Sequence, residues 1–393
     1  MTAPLRIAVV TETHPPEVNG VAMTVQRLIN GMRARGHRIT VVRPRQQPRE
    51  TPLADEWLVG GLPLPGYPGL RFGLPARGYL QRGWSALRPD AIHVVTEGPL
   101  GWSAIQAARR LGIPVSSGYH TNFDRYSRHY GAGILKPVIG RWLRHFHRSA
   151  DATLVPTPGL AHSLAAQGIA GVGVVGRGVD TELFSPMRRD NTLRARWGVA
   201  SDGLVVMNVG RLAPEKNLAL VETAFRHIGA QESKARMVWV GDGPARASLA
   251  RAHPDHHFAG ARYGADLATH YASADLFLFP SLTETYGNVT VEAMASGLAV
   301  LAYDCAAAAL LIRNDENGCT VTEDDASAYI QAACRLAGDT DLRERIGEAA
   351  RRSVLPLAWE AVIADFESSL RATIARHADG KHKPDLANAA APT

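Results

Sequence analysis

The feature that most constrains this chain is a strand–helix alternation that runs through its first half, stops, and starts again. Leu5–Thr11 is a short apolar run with β character. Gly20–Arg35 follows, with Val21, Val25, Leu28, Ile29 and Met32 at helical spacing, and Gly36 ends it. His37–Arg43, Ala91–Val95 and Pro114–Gly118 read as further strands, the last two separated by a helix over Gly101–Leu111. The pattern restarts at Gly203–Val209. Strands at Ala235–Val240, His257–Gly260, Leu276–Pro280 and Ala299–Ala302 alternate with helices at Leu218–Ile228, Arg246–His253, Leu267–Ser273 and Val289–Ser296. Such alternation implies parallel strands joined by crossover helices. Two series in 393 residues predict an α/β protein of two doubly wound domains, residues 1–180 and 181–356, facing a central cleft. A long helix at residues 357–375 is expected to cross back to the first domain, and a polar tail, 376–393, to be disordered.

Several classes fall away on composition. Three cysteines, Cys305, Cys319 and Cys334, are too few for a disulfide framework, and no His/Cys cluster has zinc-ligand spacing. The apolar run at Ile7–Val10 is too short for a signal-peptide core. No 18-residue apolar run lacks charge; the nearest candidate, Gly297–Ile312, contains Asp304 and reads as a buried strand and turn. These features point to a reduced, cytoplasmic protein. The net charge of +6 is unevenly placed: residues 1–190 hold 23 Lys+Arg against 12 Asp+Glu, and residues 191–393 hold 20 against 25. A basic half calls for an anionic partner. Interleaved aromatics on a basic face are absent, which argues against nucleic acid.

The stretch Val59–Leu80 breaks the alternation. Ten Gly and Pro residues punctuate it, with Leu62, Leu64, Tyr67, Leu70, Phe72 and Leu74 between them. It reads as a long apolar loop, either functional or covering a sheet edge.

Ligands of open α/β sheets bind outside the carboxyl ends of the strands. The strand Gly203–Val209 ends in Gly210-Arg211-Leu212, with Glu215-Lys216-Asn217 just before a helix. Two cations there suit a diphosphate, although a Glu215–Lys216 surface charge pair reads the same way. Leu276–Pro280 runs into Ser281 through Val289 and a helix that reaches Glu292, placing Glu284 at the loop tip. Two carboxylates so placed could hold different hydroxyls of one ligand, or simply complement a helix dipole. His120 ends the run Pro114–Gly118, as a site residue or as a core histidine.

Gly210-Arg211, Glu215-Lys216-Asn217, Gly241-Asp242-Gly243-Pro244 and Glu284-x7-Glu292, in that order, resemble glycosyltransferase family 4, whose fold is GT-B with two Rossmann-like domains. Pro15–Val21, Gly118–Phe123 and Gly176–Thr181 resemble the branch of GDP-mannose-dependent α-mannosyltransferases and sulfoquinovosyl-diacylglycerol synthases. The resemblance implies a retaining hexosyltransferase that uses a nucleotide sugar as substrate and needs no cofactor or metal. Arg211 and Lys216 would bind the donor diphosphate, Glu292 the ribose, and Glu284 the sugar hydroxyls. Tyr286, where many relatives have Phe, would bind the donor with Gly287, Asn288 and Val289, which would meet the diphosphate or sugar. Phe258 to Ala261 would line the base pocket, Gly20 would approach the diphosphate, and His120 would sit near the transferred sugar. Asp304-Cys305 and the alanines after it replace a segment that often carries a carboxylate, which leaves GDP-mannose only slightly ahead of UDP-sugars.

Gly133–Arg148 is a basic amphipathic helix. Ile134, Leu135, Val138, Ile139, Trp142, Leu143 and Phe146 recur at helical spacing; Lys136, Arg141, Arg144, His145 and Arg148 take other positions. It can pack its apolar face on the core or meet an anionic membrane. With Tyr67 and Phe72 of the apolar loop, Lys136, Arg141, Trp142, Arg144 and Arg148 form the candidate acceptor and membrane surface. The expected partners are a nucleotide sugar, a lipid or glycan acceptor, and the inner face of the cytoplasmic membrane.

Overall fold

The structure is a computed structural model that describes residues 3–15, 20–47, 49–63, 71–120, 136–199 and 203–380. Two compact units account for them. The first holds the described residues up to His120, Lys136–Gly176 and those from Glu360 onward; the second holds those within Arg177–Trp359.

In the first unit, β1 (Arg6–Val10), β2 (Arg38–Pro44) and β3 (Glu56–Val59) open the sheet. After the short β4 (Gly61–Pro63) and β5 (Arg71–Gly73) come β6 (Ala91–Val94), β7 (Val115–Gly118), β8 (Ala152–Val155) and β9 (Val172–Val174). The sheet order is β3-β2-β1-β6-β7-β8-β9, all parallel. Ile7 to Val10 are buried without a break, the pattern of a strand covered on both faces.

The stretch between Val59 and Leu80 differs from the predicted loop. β4 and β5 pair antiparallel, Leu62 opposite Phe72, and a helix begins at Arg77 and runs to Leu87. Glycine is what permits this packing. A Cβ at Gly73 would lie 2.7 Å from Leu100, and one at Gly83, inside the helix, 2.5 Å from the Trp57 ring. Residues 64–70, Tyr67 included, lie outside the described residues.

The C-terminal helix, Trp359–Ala378, packs on the first unit. Phe366 meets the His93 ring edge-on at 5.0 Å. A side chain at Gly31 would overlap Ile363, so only a glycine lets helix Gly20–Ala34 come this close. Glu367, nearly buried here, accepts from Arg35 (2.8 Å) and Arg371 (2.9 Å) and lies 3.4 Å from His37. Burial alone would raise its pKa, but these cations outweigh burial and hold the carboxyl at about 2.

The second unit repeats the plan. β10 (Val205–Val209), β11 (Arg236–Val240), β12 (His257–Gly260), β13 (Leu276–Phe279), β14 (Ala299–Tyr303) and β15 (Cys319–Val321) form a parallel sheet ordered β12-β11-β10-β13-β14-β15. Alternate residues feed opposite cores: Val205, Met207 and Val209 one, Leu204 and Val206 the other. Gly297–Ile312 resolves into β14 and a helix, Ala306–Leu311, in place of the predicted turn. Helices Ala326–Gly338 and Thr340–Val354 complete the cover. In both sheets the strand order reverses once, between β1 and β6 and between β10 and β13. Those are the switch points where open α/β sheets take ligands.

Candidate active site

At the second switch point the loops after β10 and β13 are stitched together. The loop after β10 is braced by backbone. A side chain at Gly241 would overlap the Gly210 carbonyl, and one at Gly243 the Leu212 carbonyl. In that space Leu212 N–H donates to Asp242 O and Ala245 N–H to Leu212 O, both at 2.9 Å. The Gly241-Asp242-Gly243 segment thus fixes where Arg211 leaves the sheet. Glu215 is buried, its carboxylate 3.9 Å from Arg211 Nη1 and its carbonyl accepting Leu282 N–H at 3.1 Å. That last bond joins the two loops.

Lys216 and Glu284 form an ion pair across the junction. Ser281 Oγ donates to Glu284 Oε1 at 2.7 Å and lies 3.4 Å from Lys216 Nζ, which also sits 5.5 Å above the Phe279 ring. Burial pushes the Glu284 carboxyl up; the Lys216 ammonium and the Ser281 hydroxyl outweigh it and hold the pKa below the ordinary value. Glu284 is therefore ionised at neutral pH, a hydrogen-bond acceptor beside a cation.

Gly287, at φ +89, turns the chain into the helix Asn288–Ala295, which starts with Asn288 and Val289 half-exposed. Glu292 lies on this helix and accepts from Tyr271 Oη at 3.1 Å. Burial raises its carboxyl to about 7, the tyrosine bond opposing. Tyr286 takes a scaffold position. Its buried ring joins the core, its hydroxyl donates to Arg177 O at 3.3 Å, and its carbonyl accepts Ala307 N–H at 2.7 Å. Phe258 stacks on Trp239 with centroids 6.3 Å apart, and Ala261 is exposed just past β12.

Gly20 and His120 belong to the first unit. Gly20 opens the helix that follows β1. His120 follows β7, its ring folded over Gly118, where any side chain would overlap the imidazole. The basic helix spans Lys136–Arg148, buries Leu143 and Phe146, and exposes Val138 and Arg141, with Arg144 half-exposed. Trp142, 36% exposed, donates from Nε1 to Glu97 O at 3.0 Å. Arg148, a candidate for the membrane surface, is half-exposed. Its guanidinium donates to Gly168 O (3.1 Å) and Gln167 O (2.8 Å), closing the end of helix Pro158–Ala166. The Lys136 side chain and residues 16–19 and 121–135 lie outside the described residues.

Sequence reasoning missed Ser281 and Tyr271. A hydroxyl three residues before Glu284 was a signal at hand; Tyr271, on a separate helix, gave none.

The strand order and the cation–carboxylate loops define a GT-B glycosyltransferase. Sucrose-phosphate synthase from Thermosynechococcus elongatus has this fold, with a TM-score of 0.74 at 19% identity over 94% of this chain and 99% of that one. Residues 18–183 match the family model Glycosyltransferase Family 4, and residues 203–339 match Glycosyl transferases group 1. A GDP-mannose-dependent alpha-mannosyltransferase of Mycobacterium tuberculosis is 37% identical over 91% of this chain and 94% of its own length. An alpha-monoglucosyldiacylglycerol synthase of Streptococcus pneumoniae is 27% identical over 76% and 71%. The chain belongs to glycosyltransferase family 4. No helix among the described residues is long and apolar enough to cross a membrane.

Proposed function

We propose that the chain moves a hexose, with mannose from GDP-mannose favoured, to a membrane lipid or lipid-linked acceptor, keeping the α configuration. The observation that carries the reading is the Lys216–Glu284 pair, with Ser281, at the switch point beside Arg211. The diphosphate takes the cations, and Glu284 turns to the sugar hydroxyls. In the transfer the bond from the anomeric carbon to the phosphate oxygen breaks. The acceptor oxygen bonds the same carbon on the same face, and the leaving phosphate oxygen takes the acceptor proton. Arg211 and Lys216 neutralise the departing charge, so the step is read as metal-independent. His120 serves as a hydrogen-bonding group to the sugar or acceptor.

The choice of mannose is supported by the similarity to the mycobacterial mannosyltransferase. The lipid acceptor is supported by the basic helix with outward Val138 and Arg141, and by Leu62 and Leu74 standing exposed around the β4–β5 pair. Peripheral contact with the inner, anionic membrane face follows from the same surface. A second reading, a UDP-sugar glycolipid synthase, is favoured by the likeness to the glucosyldiacylglycerol synthase. Calorimetric titration with GDP and UDP separates the two. GDP binding at least tenfold tighter supports the first reading; the reverse order overturns it. NMR of the product anomer tests retention, rates with EDTA test the metal, and sedimentation with vesicles of anionic or neutral lipid tests the membrane. Binding indifferent to lipid charge and salt would overturn the membrane part.

A further inference from the structure

Glu12 lies just past β1, on one side of the first unit's switch point. Its backbone N–H donates to Thr96 Oγ1 (3.0 Å) in the loop after β6, on the other side. Its carboxylate accepts the Leu100 N–H at 3.0 Å, in the first turn of helix Pro99–Leu111. Helices leave their first amides without partners, and the residue before the helix usually supplies the acceptor. That residue is Gly98, which makes no cap bond. Its backbone is extended at φ −83 and ψ −173, open to any L-residue. Glycine is thus not there for its dihedral angles. It is there for room: a side chain at 98 would overlap both carboxylate oxygens of Glu12.

The backbone dipoles of Gly73 and Gly101 also act on this carboxyl. Gly73 closes β5, against Leu100. Through Leu100, which lies against Gly73, the Glu12 side chain therefore links the loop after β1 and the β4–β5 pair to the start of a helix that is 88 residues away in sequence. Burial lifts this carboxyl to about 7 against the pull of those amides, with Glu97 adding to the rise. A carboxyl kept at that desolvation cost, bonded to a backbone N–H and to no cation among the described residues, is a part of the frame, not of a charged surface.

We propose that Glu12 is a positioning residue for the acceptor side of the reaction: it caps helix Pro99–Leu111 in place of Gly98 and thereby holds the β4–β5 pair where the acceptor enters. This rests on the reading of acceptor binding given above. A plain helix cap and a positioning residue separate in one comparison. Glu12→Ala removes both functions. Glu12→Ala with Gly98→Ser restores a local cap, because serine at that extended position can accept from the first turn.

The expected result is that E12A lowers kcat/KM for the lipid acceptor at least tenfold, with GDP affinity changed less than threefold. The double variant should regain the melting temperature but not kcat/KM, and the Gly73 amide should exchange faster in both. Gly98→Ala should reproduce E12A, and E12A/G98A should be no worse than either alone, the non-additivity of two residues sharing one space. Recovery of both stability and kcat/KM by E12A/G98S would reduce Glu12 to a cap and overturn the proposal. So would unchanged Gly73 exchange in E12A. If the wild-type protein transfers sugar to no lipid, the functional reading fails, and the exchange arm alone decides whether Glu12 holds the β4–β5 pair.

Discussion

At β10 and β13 the loops of the second unit carry Arg211, Lys216, Ser281 and Glu284; at β1 and β6 the loops of the first carry Glu12, Thr96 and Glu97. The places are topologically equivalent, and the chemistry is turned in opposite directions. In the second unit a cation and a carboxylate pair side chain to side chain, each partly accessible, so a ligand with phosphates and hydroxyls can take over both ends. In the first unit the carboxylates face inward. Glu12 holds the Leu100 amide, and Glu97 lies 3.5 Å from His147, which is fully buried and bonded to Ser117 at 2.9 Å. A switch point is a place for a site; which way its side chains point decides whether it becomes one or becomes frame.

The largest effect that would break this contrast is at the ion pair. Lys216→Ala or Glu284→Ala should lower transfer on the order of 10³-fold, as expected for groups that meet developing charge. Melting by circular dichroism should stay within a few degrees. Initial rates with GDP-mannose check this, and near-wild-type turnover would return the pair to the status of a surface salt bridge. Next comes the brace. Gly241→Ala forces a side chain into the Gly210 carbonyl, and about 3 kcal/mol of stability should be lost, read by urea denaturation. The same substitution at Gly159, where nothing lies within 4 Å, should be near neutral.

Glu367→Gln sharpens the other side of the contrast, since its carboxylate is frame in the first unit. Its pKa of about 2 in the fold lies below the usual 4.5. The stabilisation is therefore present above pH 4.5 and lost as pH falls toward 2. With Arg35 half-exposed and screened by solvent, the effect on stability at neutral pH should be about 1 kcal/mol. Denaturation of E367Q at pH 7 and pH 3 should show a deficit at the first that shrinks at the second.

The strands most visible in the sequence are those buried on both faces, such as Ile7–Val10 and Leu276–Phe279, because an uninterrupted apolar run has one explanation in an α/β protein. Arg77–Leu87 was hidden for the opposite reason. Gly78 and Gly83 weaken it as a helix by propensity, and the contact of Gly83 with Trp57 that justifies the glycine is made in space. At the site, Arg211, Lys216, Glu284 and Glu292 stand out through the resemblance to family 4, because the same charges taken alone also read as a surface pair or as complements to a helix dipole. The Gly241 segment is legible as a motif but not as a brace, since its partner carbonyl belongs to another strand's loop. The bonds of Tyr286 and Arg148 were not legible because an aromatic and a cation look alike in sequence whether they face ligand, core or a carbonyl.

Glu292 offers a smaller effect. Its carboxyl, raised to about 7, is ionised above that pH and protonated below it. If the carboxylate holds the ribose hydroxyls, the donor KM should rise roughly tenfold from pH 8 to pH 6, following the ionised fraction. Glu292→Gln should flatten that dependence. A wild-type KM that is flat across this range would remove Glu292 from the donor site and leave it, like Glu12, as part of the frame.

The smallest expected effect divides one helix between the two uses. Arg148 spends its guanidinium on two carbonyls at the end of helix Pro158–Ala166, whereas Arg141 on the same helix is exposed. Capping bonds of this kind are worth about 1 kcal/mol, and a juxtamembrane arginine near an anionic surface contributes a similar amount. The two substitutions should therefore trade places between assays. Arg148→Ala should lose about 1 kcal/mol in urea denaturation and bind anionic vesicles as the wild type does. Arg141→Ala should keep its stability and bind those vesicles about fivefold more weakly, the difference vanishing at high salt. Equal vesicle binding by all three proteins would mean that the basic helix, like the switch point beside it, is frame throughout.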